Sequence, residues 1–191
     1  MLLTKSFYTR SDVVEVAQDL LGKILITQIN GIITGGIISE TEAYSGRNDK
    51  ACHAHLGKFT KRTEVMYEEG GCSYIYLCYG IHHLFNVVTN VKGLADAVLI
   101  RAIKPVEGID TMLKRRNKLK LDKTLTGGPG TLTQALAITK KLYGTILTDV
   151  NGAIRIEDHG HVVKKVQKTP RIGIDYAEED ALLPWRFLAS F

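Results

Sequence analysis

The chain has only three cysteines, Cys52, Cys72 and Cys78, an odd number without paired spacing. That excludes a disulfide framework and predicts reduced thiols. No apolar run approaches the roughly 18–20 residues that span a bilayer, and the opening MLLTKSFYTRSD lacks the apolar core of a signal peptide. A cytoplasmic protein that does not engage a membrane is the expectation. Internal repeats and low-complexity tracts are also missing, so residues 1–191 read as a single domain, long enough to bury one sizeable core. Cys52, His53, His55, His82 and His83 fit neither a C-x-x-C nor an H-x-x-x-H spacing. No metal and no other cofactor is expected.

What is present is ordinary in bulk, with 45% hydrophobic and 24% charged residues, and a net charge of +5. The charge is unevenly placed. Between Arg101 and Leu125 eight basic residues face three acidic ones, a local excess equal to that of the whole chain. Such a stripe permits a phosphate-bearing partner, although a solvated helix face and loop would look the same.

Asp12 followed by Glu15 resembles a capping box, and Val13, Val14, Ala17, Leu20 and Leu21 give the helix after it one apolar face that ends at Gly22. Lys23 to Ile29 predicts a strand, Asn30-Gly31 a hairpin turn, and Gly35-Gly36 a loosened entry into the strand carrying Glu42. Ser45 to Gly71 has no sustained period and reads as a long loop with at most a short helix, a feature usually functional in a compact domain. Tyr74 to Tyr79 and His83 to Thr89 form a hairpin around Gly80, Ala97 to Ile103 a strand ending before Pro105, and Glu107 to about Lys118 a basic helix. Gly127-Gly128-Pro129-Gly130 opens a further helix whose free N–H groups could hold a phosphate. Short strands are expected around Ile146 and over Ile154 to Ile156, with Trp185 plugging the core near the C-terminus.

The chemistry concentrates in Ser39-Glu40-Thr41-Glu42-Ala43-Tyr44. Ile37-Ile38 reads as buried strand, so the two carboxylates follow an apolar run, where an ionised acid costs several kcal/mol unless something requires it. Two residues apart on a regular strand they share a face, and crowding should raise one pKa. A structural ion pair is the ordinary explanation of such a glutamate, as packing is of Tyr74, Tyr76 and Tyr79.

Seven blocks in order shift that balance. Ala17-Gln18-Asp19-Leu20-Leu21-Gly22-Lys23, Glu40-Thr41-Glu42-Ala43-Tyr44, Asp49…Ala51…His53, Tyr74-Ile75-Tyr76-Leu77-Cys78-Tyr79-Gly80 with Asn86-Val87-Val88, Val98-Leu99-Ile100-Arg101-Ala102, Gly128-Pro129-Gly130 and Pro170-Arg171-Ile172-Gly173-Ile174-Asp175-Tyr176-Ala177 span nearly the whole chain. Together they resemble the alkyladenine (3-methyladenine, or methylpurine) DNA glycosylase family. The resemblance implies an α+β fold: a curved, mostly antiparallel, open-barrel-like sheet with flanking helices and a protruding tyrosine-bearing hairpin. It implies Glu42 as the general base that activates water, and Tyr44, Ala51, His53, Tyr76 and Asn86 as the base pocket, with Asn86 crowding the 2-amino group of guanine. It further implies Tyr79 as the side chain wedged into the minor groove and Arg101 as a DNA-backbone contact near the flipped nucleotide. The chain departs from the family at Arg62-Thr63, where R-N is common, and at Thr131, where a basic residue often stands. The first should alter support for the pocket and the second should weaken a phosphate contact.

The implied activity is hydrolysis of the N-glycosidic bond of alkylated purines flipped out of double-stranded DNA, with deaminated purines as further candidate substrates, by a monomer acting in base-excision repair, nucleoid-associated if bacterial. An extruded base leaves a hole that must be filled, an electron-poor purine stacks well between aromatic faces, and a carboxylate suits the developing oxocarbenium charge. No lysine in the core motif is placed for Schiff-base attack, so an abasic site without strand cleavage is expected. A damaged-DNA-binding protein without turnover, or a nucleoside hydrolase using Glu40 and Glu42, are the alternatives.

Overall fold

The structure, a computed structural model, describes residues 1–191. After a one-turn helix α1 (Lys5–Tyr8), helix α2 (Val13–Asp19) starts where the Asp12 carboxylate accepts from the backbone N–H groups of Val14 and Glu15, the capping that the sequence predicts. Its apolar face enters a 26-residue core together with Phe85, Ile100, Leu132 and Phe187. Each such side chain contributes roughly 1.5–3 kcal/mol by leaving water. No helix is long and apolar enough to cross a membrane.

The fold is α+β, built on an open, curled antiparallel sheet. Strand β1 (Ile24–Ile29) turns through Asn30 and Gly31, both with φ above zero, into β2 (Ile32–Tyr44). That is the backbone a two-residue primed hairpin turn requires. β2 is the axis of the sheet. One flank pairs from Gly35 to Tyr44 with β5 (Asp96–Glu107); the other pairs first with β1 and then, over Glu40–Glu42, with β8 (Arg186–Ser190). Gly36 is needed where β2 passes β5, because a Cβ there would lie 2.7 Å from the Lys104 carbonyl oxygen. Beyond β5 lie β4 (His82–Thr89) and then β3 (Ser73–Cys78), which form the hairpin. β6 (Ile154–Glu157) closes the β1 edge, and β7 (Lys165–Thr169) pairs β8. Helices α3 (Ile109–Arg115) and α4 (Pro129–Ala135) complete the chain's regular elements.

Several sequence expectations are corrected. β5 does not stop before Pro105 but runs to Glu107, with Pro105 opposite Gly36. β4 leaves β5 at Leu99, so β5 is an edge strand there, where a missing N–H costs nothing. The basic helix is shorter than expected because Glu107 is still strand and Gly108 turns the chain in a left-handed conformation. Ile146 makes only an isolated bridge to Cys72.

The long loop after β2 holds two short 3-10 turns, His55–Gly57 and Glu64–Tyr67. A second core of nine residues, including Cys52, Ala54, Met66 and Tyr74, glues it to the sheet. Two buried acids tie down its start. Asp96 accepts from Gly46 N–H and Asn90 Nδ2, and Asp49 accepts from Ser45 and Ala51 N–H. This is why a stretch without periodicity is nonetheless ordered.

Candidate active site

The end of β2 delivers Glu42 and Tyr44. Its pairing with β5 is irregular here, skipping Ser39 and Arg101, and such bulges re-aim side chains. Arg101 consequently turns its guanidinium between the two carboxylates: Nε donates to Glu40 at 2.8 Å and Nη1 to Glu42 at 3.3 Å. The crowding expected of Glu40 and Glu42 is thereby relieved by a cation standing between them. Arg186 Nε, from β8, adds a second ion pair to Glu40 at 2.6 Å.

Glu42 is fully buried. Its Oε2 accepts from the Tyr44 hydroxyl at 2.8 Å as well as from Arg101, and its Oε1 accepts from the Ile172 N–H at 2.9 Å. A carboxylate removed from water requires such a set of donors. Burial, then the Glu42 charge, pushes the Tyr44 phenol well above its usual range, so it stays a neutral donor.

Arg171 organises the layer beneath. It forms a buried two-pronged ion pair with Asp49, at 2.5 and 2.7 Å, donates to the Ala43 carbonyl, and stacks its cation over the rings of Tyr44 and Trp185. Trp185 is partly buried against the core, under this cation. Asp49→Ala leaves a buried charge unpaired and is expected to cost about 3–5 kcal/mol in urea denaturation. A loss under about 1 kcal/mol, the range of exposed pairs, would contradict this reading of the network.

The opposite wall is aromatic. Tyr74 and Tyr76, two apart on β3, share a face with ring centroids 5.5 Å apart. His53 meets Tyr76 edge-on at 4.7 Å. Its Nδ1 lies 2.8 Å from the Tyr74 hydroxyl and its Nε2 3.0 Å from Arg62 Nη2. A guanidinium only donates, so Nε2 accepts and Nδ1 carries the proton. Burial, reinforced by Arg62 and Lys58, holds the His53 pKa down to about 4. The unfolded chain, titrating near 6.5, therefore binds this proton first. The resulting stability is fully present above that pH and is lost as pH falls toward 4, by no more than roughly 3 kcal/mol. Denaturation midpoints from pH 7 to 4 should fall less steeply in His53→Gln than in the native chain.

Between these walls lies a cleft of about 490 Å³. Tyr44, Ala51, His53, Tyr76, Asn86 and Arg101 all line it, as does Tyr79. Glu42 does not; it sits directly behind Tyr44, Arg101 and Ile172, the lining residues that hold its carboxylate. Asn86 is buried and its Nδ2 donates to the Tyr74 carbonyl at 3.1 Å. Tyr79 and Gly80 form the turn of the β3–β4 hairpin with φ of 50° and 73°. Tyr79 is 89% exposed, beside exposed Leu77 and Ile81. Tyrosine in this left-handed region costs about 1–2 kcal/mol, in a turn closed by the Ile81 N–H donating to the Cys78 carbonyl at 3.2 Å.

The structure thus brings together every residue singled out in the sequence, with two differences of placement. Glu42 lies behind the wall, and Arg101, expected against the DNA backbone, spends its guanidinium on Glu40 and Glu42. Sequence reasoning missed three groups: Tyr74, read as packing, orients His53; Arg62 touches both His53 and Tyr76; and Ile172 supplies a backbone donor. The Tyr74–Tyr76 spacing was the available signal for the first. At the two departures, Thr63 is buried and its hydroxyl ties the loop by accepting from Thr60 N–H and donating to the Lys58 carbonyl, while Thr131 Oγ1 caps α4 by accepting from Gly128 N–H.

Comparison with known proteins gives the class to which this fold and cleft belong. The profile described as Methylpurine-DNA glycosylase (MPG) matches residues 6–190. A Chlamydia felis protein is 50% identical over 190 residues, covering 99% of this chain and 96% of its own length. Proteins of Methanocella arvoryzae and Bacillus cereus (strain AH187) are each 46% identical, covering 97% and 95% of this chain and 91% and 92% of their own lengths. All three are named "Putative 3-methyladenine DNA glycosylase". The chain belongs to the methylpurine-DNA glycosylase family.

Proposed function

We propose that the protein hydrolyses the N-glycosidic bond of alkylated, and also deaminated, purines extruded from duplex DNA, releasing the free base and leaving an abasic site. The observation that carries this reading is a single cleft lined both by the residues that hold a buried carboxylate and by an exposed tyrosine in a left-handed backbone conformation. Tyr79 enters the duplex where the purine stood, with Leu77 and Ile81 flanking it, as apolar wedges do in the minor groove. The extruded purine stacks in the aromatic slot of Tyr44, His53 and Tyr76, with Asn86 at its edge.

Cleavage places positive charge on the sugar. Glu42 stabilises that charge and takes a proton from the attacking water, so that hydroxide adds to the sugar carbon as the base leaves with the bonding pair; a cationic purine leaves neutral, and a neutral one takes up a proton from water as it leaves. For this the carboxylate must be uncovered on one side. Tyr44 is the cover that can move, because it is the neutral side-chain donor of the three and its departure strands no charge. Arg101 holds Glu42 in place. No lysine lines the cleft, which favours hydrolysis over Schiff-base strand cleavage.

The test is a panel of duplexes, each with a single 7-methylguanine, 3-methyladenine, ethenoadenine or hypoxanthine, followed by chromatography of released base. Free base with an alkali-labile, otherwise unbroken strand is the expected product. Tight binding without release of any base would replace this reading with recognition alone, and equal activity on free nucleosides would replace it with nucleoside hydrolysis.

A further inference from the structure

Three basic side chains line the cleft: His53, Arg101 and Arg62. His53 is neutral by its hydrogen bonds, and Arg101 is balanced by Glu40 and Glu42. Arg62 has no carboxylate partner; its guanidinium carbon lies 4.8 Å from the Tyr76 ring centroid and Nη2 bonds His53. One uncompensated positive charge therefore stands against the very side chains that would receive the base. It already uses the attraction of a Tyr76 face for a cation, which operates within about 6 Å.

The purines of the proposed reaction fall into two charge classes. N3- and N7-alkylated nucleotides carry a positive charge, whereas hypoxanthine and ethenoadenine are neutral. From this geometry we infer that Arg62 is a specificity-determining residue, which disfavours cationic purines relative to neutral ones in the cleft. Arg62 is exposed, so solvent weakens its repulsion of a cationic base to the range of surface charges, but that base must also share or displace the Tyr76 contact. A neutral base meets neither cost, and can offer its edge to the guanidinium. The inference rests on the base-excision reading above. It deepens that reading by assigning the charge preference of the pocket to one side chain outside the expected site.

The experiment compares single-turnover excision of 7-methylguanine and hypoxanthine in the same duplex, for the native protein, Arg62→Gln and Arg62→Lys. Affinities for both duplexes are measured alongside in a Glu42→Gln background, where neither base is released. Arg62→Gln should raise the ratio of cationic to neutral lesion, in rate and in affinity, by about tenfold, and Arg62→Lys should stay near the native ratio. Because each ratio is internal to one protein, partial misfolding cancels. A parallel fall for both lesions with a shallower salt dependence would make Arg62 a phosphate contact and overturn the inference. If the native protein releases no base, the excision reading fails, while the affinity ratios still decide the role of Arg62.

Discussion

Glu42→Gln is expected to slow base release by about 10²–10⁴-fold, the range for removing a general base, while affinity for damaged duplex stays nearly unchanged. A glutamine oxygen still accepts from the Ile172 N–H, and Arg101 keeps its bond to Glu40. The amide NH2 then faces Arg101 Nη1, so the Arg101–Glu42 ion pair is lost, while Tyr44 can turn its hydroxyl to accept. Thermal stability should fall modestly, with the fold retained. Single-turnover abasic-site formation is the measurement, and a rate equal to the native one would remove Glu42 from the chemistry.

Tyr79→Asn is expected to separate stability from activity. Asparagine tolerates positive φ, and Asn-Gly is the preferred pair for this turn, so the variant should gain about 1 kcal/mol of folding stability. Excision from duplex DNA should nevertheless fall on the order of 10²-fold, because an unfilled hole lets the base return and extrusion costs a few kcal/mol. Single-stranded DNA has no such hole, so native and variant rates on it should be similar. An equal loss on both substrates would place Tyr79 in the base pocket instead of the duplex.

Most of the sheet was legible in the chain because its signals are local. Asp12 caps α2, Asn30-Gly31 turns the first hairpin, and alternation marks β3 and β4. β7 and β8 were not legible. β8 depends on pairing with β2 from more than a hundred residues away and β7 on pairing with β8, and Lys165–Thr169 carries little apolar periodicity of its own. The site divides in the same way. Residue types at family spacing identified Glu42, Tyr44, His53, Tyr76 and Tyr79. Arg101 between two carboxylates, and Arg171 beneath Tyr44, follow from a bulge and from the tail folding back, neither of which spacing encodes. Arg62 was hidden inside an aperiodic loop whose order comes from buried acids at its base.

A structure of the Glu42→Gln protein bound to duplex DNA with one alkylated purine tests the account most directly. The account predicts that purine in the cleft against Tyr76, its sugar facing residue 42, and the Tyr79 ring between the flanking base pairs. A purine still stacked in the helix, with Tyr79 outside the duplex, would contradict it.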